Sequence, residues 1–77
     1  MKAIQEQVEV SASPSGQPLH FIWRTRRYGV QVTDTWRYGG RWWLGEGPRN
    51  CYLVQAGSLT AELHQQGGGW WLARVQD

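Results

Sequence analysis

Seventy-seven residues leave room for one small domain and no second core, and six tryptophans, three tyrosines and one phenylalanine supply the burial that so short a chain needs to fold. The net charge of +2 does not by itself imply a polyanionic partner; the single cysteine rules out an internal disulfide, and no Cys/His spacing resembles a zinc site. No apolar stretch approaches the about 20 residues of a membrane span and Met1-Lys2-Ala3-Ile4-Gln5-Glu6 does not read as a signal peptide, so a reducing, cytoplasmic setting away from the membrane is expected.

Along the chain the apolar period is two. Ile4, Val8 and Val10 alternate with Gln5, Gln7 and Glu9, which predicts a first strand with one apolar face at a sheet edge. Residues 11–18, with two prolines, read as a turn-forming segment or a flexible loop or linker ahead of a β core over 19–77, the whole forming a single domain over 1–77. Leu19–Arg24 and Arg27–Thr33 are the next strands, joined by a tight turn at Thr25-Arg26 that lacks the Asn-Gly preferred by a type I′ turn. Asp34-Thr35 marks a break or a bulge. Trp36-Arg37-Tyr38 then leads through a hairpin turn at Gly39-Gly40 into Arg41–Leu44, and Gly45-Glu46-Gly47-Pro48 is a loop. Asn50–Ala56, Leu59–Gln65 and Trp70–Gln76 form a three-strand meander, turned at Gly57-Ser58 and Gly67-Gly68-Gly69. No segment carries helical periodicity. The expected class is all-β: a small twisted antiparallel sheet or SH3-like, partly open barrel of six to seven strands.

The charge is unevenly spread. Between His20 and Arg49 six arginines stand against Asp34 and Glu46, a local balance of +4, while the rest of the chain sums to −2. All but one of the basic residues are arginines, the side chain suited to phosphate forks and to stacking on rings, although a genome-wide preference for arginine gives the same bias.

The order Trp23, Arg27, Tyr28, Val30, then Trp36, then Gly40-Arg41-Trp42-Trp43 with Gly45 and Glu46, resembles a small bacterial all-β domain family of unknown function. Arg49, Tyr52, Val54, Glu62, Leu63, Gly67, Gly68, Trp70, Leu72, Val75 and Asp77 continue the pattern. It is also similar to the C-terminal tail of the non-catalytic Y-family polymerase homologue of the error-prone polymerase system. The likeness runs from Phe21 onward and implies a context of DNA damage tolerance, with no polymerase activity carried over.

No catalytic set is legible. Cys51 with His20 or His64 would need an orienting carboxylate or amide that spacing does not supply, and Cys51 sits in an apolar strand. Glu46 and Glu62 read as solvated or arginine-paired rather than as an acid–base couple. The triple glycine precedes a strand, not a helix, so it is no phosphate loop. The expectation is a protein that is not an enzyme and takes no cofactor or metal.

What remains is an interleave of arginine and aromatic residues. The residues expected to bind nucleic acid or a partner are Arg24, Arg26, Arg27, Arg37, Arg41, Trp43, Arg49 and Trp70. Arginines neutralise phosphates while flat rings stack on bases, which is how small β-barrels hold single-stranded nucleic acid. Trp23, Trp36 and Tyr52 are expected in the core. Neighbours in a strand face opposite ways, so each tryptophan doublet splits. Trp42 aligns with Leu44, and Trp71 with Ala73 and Val75, which places Trp42 and Trp71 inward and Trp43 and Trp70 outward. Three functions follow: an accessory domain binding single-stranded DNA, a protein-interaction module docking an error-prone polymerase subunit or a second copy of itself, and, last for want of a catalytic set, a small enzyme or ligand binder.

Overall fold

The computed structural model describes residues 2–40 and 47–77. Period-two patterning gives seven strands: β1 Lys2–Ala12, β2 Pro18–Trp23, β3 Arg26–Gly29, β4 Gln31–Tyr38, β5 Arg49–Ala56, β6 Leu59–Gln66 and β7 Gly69–Gln76. Among the described residues there is no helix, and so none long and apolar enough to cross a membrane. The strands form one sheet in the order β3-β2-β1-β7-β6-β5-β4, antiparallel throughout.

That order fixes the shape. The edge strands β3 and β4 are joined through Val30 alone, yet in a flat sheet they would lie roughly 29 Å apart. Two Cα steps reach only about 7 Å. The sheet therefore curls into a half-barrel, and the Val30 amide stays in the ladder by donating to the Leu19 carbonyl at 2.9 Å. The core fills the curl: Phe21, Tyr52, Val54, Leu63, Trp70, Leu72 and Val75, flanked by half-buried Val8, Val10, Trp23 and Tyr28.

Several expectations are corrected. The first strand is not at an edge; β1 lies inside the sheet, pairing with β7 over Lys2–Val8 and with β2 over Glu9–Ala12. Of residues 11–18, Ser11 and Ala12 end β1 and Pro18 begins β2, so of the two readings, turn-forming or flexible, the segment between them is a hydrogen-bonded turn. The Ser13 amide donates to the Gln17 carbonyl and the Gly16 amide to the Ser13 carbonyl, each at 2.8 Å, and the Tyr52 hydroxyl reaches the Gly16 carbonyl at 3.5 Å. The predicted strand Arg27–Thr33 is broken at Val30. The β2–β3 hairpin turns at Arg24-Thr25, one residue earlier than expected, with φ of 52° and 63°. Both central residues are thus left-handed, as a type I′ turn requires, without glycine or asparagine to relieve the strain.

Two bulges decide which side chains face the core. Val32 pairs with Val54 and Asp34 with Leu53, so Thr33 is the extra residue, and the break or bulge expected at Asp34-Thr35 is a bulge, one residue earlier. Beyond it Trp36 lies opposite Cys51 and Tyr38 opposite Arg49 on the outer face. In β7, Arg74 pairs with Glu62 but Leu72 with Leu63, leaving Ala73 as the extra residue. Trp70, Leu72 and Val75 all point inward as a result. Arg41–Glu46, including the Trp42-Trp43 doublet, lie outside the described residues.

Candidate nucleic-acid interface

The β2–β3 hairpin is built on aromatic packing. Phe21, fully buried, pairs in register with Tyr28 and stacks on it at 5.0 Å, the planes 15° apart. Trp23 continues toward the tip, its ring 6.3 Å from Tyr28. These rings carry the arginines. The Arg24 guanidinium lies 4.5 Å over Trp23 and that of Arg26 5.4 Å over Tyr28, while Arg27 donates to His20 Nε2 at 2.9 Å. From β1, Glu6 accepts Trp23 Nε1 at 3.3 Å and Arg24 Nη2 at 3.4 Å. That ion pair is exposed and contributes at most about 1 kcal/mol. All three arginines stay exposed. Trp23, Tyr28, Arg26 and Arg27 form one wall of an open cleft of about 520 Å³; the β5–β6 turn forms the other, and among the described residues Asp77 is the one acid lining it.

A second cleft, of about 370 Å³, lies on the outer face at the other end of β5. Arg49 lines it and Ala56 lines the first, seven residues along the strand, which is roughly 23 Å at about 3.3 Å per residue. Trp36 and Tyr38 stand at its rim, each 41% exposed. The Arg49 guanidinium lies 4.6 Å over Tyr38, and its Nε is buried with no hydrogen-bond partner among the described residues. Inside, His64 Nε2 bonds Glu62 Oε2 at 2.5 Å, both side chains close to nine-tenths buried.

The expected site residues are therefore divided. Arg24, Arg26 and Arg27 come together on the hairpin; Arg49 belongs to the second cleft. Arg37 pairs with Asn50, so strand alternation points it to the opposite face from Trp36 and Tyr38. Arg41 and Trp43 lie outside the described residues. Trp70 is not a surface residue: it is 8% exposed, in the core, and its neighbour Trp71 takes the outer face. The Ala73 bulge is the reason, since it shifts the phase that aligned Trp71 with Val75. Trp36 is likewise corrected, from core to exposed.

Glu62 and His64 were missed as a pair. They are two apart in one strand and so share a face, the one available signal; their burial depends on neighbouring strands. The same pairing brings His64 opposite Cys51, so a carboxylate does stand behind a histidine beside the thiol. Yet Cys51 is 2% exposed, and burial, the largest influence, pushes its pKa up. Arg49 pulls it down and Glu62 up. A buried thiol held protonated is a poor nucleophile. Among the described residues no group of three or more His, Cys, Asp and Glu side chains is arranged to hold a metal ion. No protein-family model, curated protein or solved structure matches the chain.

Proposed function

We propose that this domain is a non-catalytic accessory module that binds single-stranded DNA through its β2–β3 hairpin, in the setting of DNA damage tolerance that its sequence resemblance implies. One observation carries the reading. Three exposed arginines crowd a single hairpin, two with aromatic rings 4.5 and 5.4 Å beneath the guanidinium, beside an open cleft. Guanidiniums so placed take phosphate oxygens, and the Trp23 ring beneath Arg24 is offered to an unstacked base as that guanidinium turns to a phosphate. Affinity of this type is modest, a Kd on the order of 10⁻⁴–10⁻⁶ M at physiological salt. Fluorescence anisotropy with labelled single-stranded DNA tests it: the triple change of Arg24, Arg26 and Arg27 to Ala abolishes binding while the far-ultraviolet spectrum stays that of the wild type. Binding that survives the triple change refutes the hairpin as the interface.

A second reading rests on a different observation, the exposure of Trp36 and Tyr38 on the edge strand β4. An edge strand with two large rings suits docking of a polymerase subunit or a second copy of the chain. Docking of that kind persists in high salt, where phosphate-driven binding collapses. Sedimentation of the domain alone, and with the partner, separates the two readings.

A further inference from the structure

We infer that the second cleft, on the outer face of β4, β5 and β6, binds a guanine base. The inference extends the nucleic-acid reading to a second surface and names the base. The chemistry of the walls selects it. Glu62 is a buried carboxylate: His64 bonds its Oε2, and Oε1, with no bonded partner among the described residues, keeps its lone pairs. A carboxylate only accepts, and the two lone pairs of Oε1 favour an edge that presents two donors side by side. Guanine alone among the bases carries two, the N1–H and the N2 amino group. Adenine and cytosine place an acceptor nitrogen beside their single amino group, and thymine sets one N–H between two carbonyl oxygens; each turns a lone pair toward the carboxylate.

The adjoining edge of guanine, O6 and N7, accepts, and arginine is its usual partner. Arg49 lines the same cleft with a buried Nε that has no partner among the described residues. Trp36 and Tyr38, two apart on β4 and therefore on one face, supply the ring surface for stacking. Arg74, also lining the cleft, suits the phosphate. Acceptor, donor, ring and cation thus converge in about 370 Å³, within the usual range of small-molecule sites.

The test titrates GMP, AMP and CMP into the intact protein, following tryptophan fluorescence and amide chemical shifts. GMP is expected to bind about tenfold more tightly than AMP, the effect of roughly one well-made hydrogen bond to a charged group. Glu62→Gln keeps the shape and the His64 contact but places a donor amide beside the base, and it erases the preference. Because Trp36 is half exposed, Trp36→Ala leaves the core intact and weakens every nucleotide alike. A parallel arm compares oligothymidylates carrying one internal guanine or one internal adenine. Preference for GMP and for the guanine oligomer places the base in a strand; preference for GMP alone assigns the cleft to a free nucleotide, and either upholds the site. Equal affinity for GMP and AMP overturns it, as does a preference that survives Glu62→Gln. Loss of plain oligothymidylate binding on removing the hairpin arginines bears on the strand-binding reading only, so the two stand or fall separately.

Discussion

Trp70 packs against Tyr52 inside the half-barrel, ring centroids 5.5 Å apart and planes tilted by 36°. Tyr52 is anchored in turn to the Gly16 carbonyl, so this pair links the C-terminal strand to the turn between β1 and β2. Its neighbour Trp71 lies on the outer face, with the ring across Gly69, where an added Cβ would meet it at 2.9 Å. The two tryptophans should therefore respond differently to truncation. Trp70→Ala should cost about 3–5 kcal/mol. That is comparable to the whole stability of a domain this size, roughly 4–12 kcal/mol at 0.05–0.15 kcal/mol per residue. Trp71→Ala should cost about 1 kcal/mol. Urea unfolding of the two variants checks this, and equal losses would mean that the outer ring is as structural as the inner.

Much of the fold was legible because alternation alone marks strands, and the turns at Gly57-Ser58 and Gly67-Gly68 fall where glycines predict them. Facing was not legible. A bulge adds one residue and reverses every side chain beyond it; the one in β4 was legible at Asp34-Thr35 only to within a residue, and Ala73 carries no residue type that announces one. The position of β1 was also hidden, since one apolar face suits an edge strand and an interior strand equally. The hairpin arginines were legible because they are local in sequence. The Glu62–His64 pair was not, because burial of a polar alternating face is set by Arg49, Trp36 and Arg74 from other strands.

Thr25 holds φ at 63°, a conformation that a β-branched residue rarely adopts. The left-handed backbone costs about 1–2 kcal/mol, of which glycine would return part to chain entropy. Thr25→Gly should therefore stabilise the domain by about 0.5–1 kcal/mol, a rise in Tm of roughly 2–8 °C. Calorimetry decides it, and a lower Tm would show that the bond from Thr25 Oγ1 to the Arg24 carbonyl outweighs the strain.

The salt dependence of DNA binding should count the hairpin contacts. Each phosphate neutralised on a single strand contributes about 0.7 to the slope of log K against log salt. Replacing Arg24, Arg26 and Arg27 one at a time should lower the slope by about 0.7 per variant, and the triple change by about 2. An Arg27 variant that loses affinity without changing slope would instead mean that Arg27 acts by holding His20, its 2.9 Å partner.

Cys51 links the second cleft to pH. Burial raises its pKa above the ordinary 9.0, with Glu62 adding to the rise and Arg49 opposing it. In the unfolded chain the thiol loses its proton near the ordinary value, whereas in the folded chain it keeps it. The unfolded state thus binds fewer protons above about pH 9, and linkage makes stability fall as pH rises. The informative quantity is the difference between wild type and Cys51→Ala, which isolates the thiol from the rest of the chain. That difference should be constant below about pH 8 and should turn against the wild type as pH rises through 9 and beyond. A disulfide reagent should label the native thiol far more slowly than the unfolded one, because only the thiolate reacts and burial withholds it. Parallel stability curves for the two proteins would show that the thiol ionises as freely in the folded state, and fast labelling would show that the outer face opens to solvent.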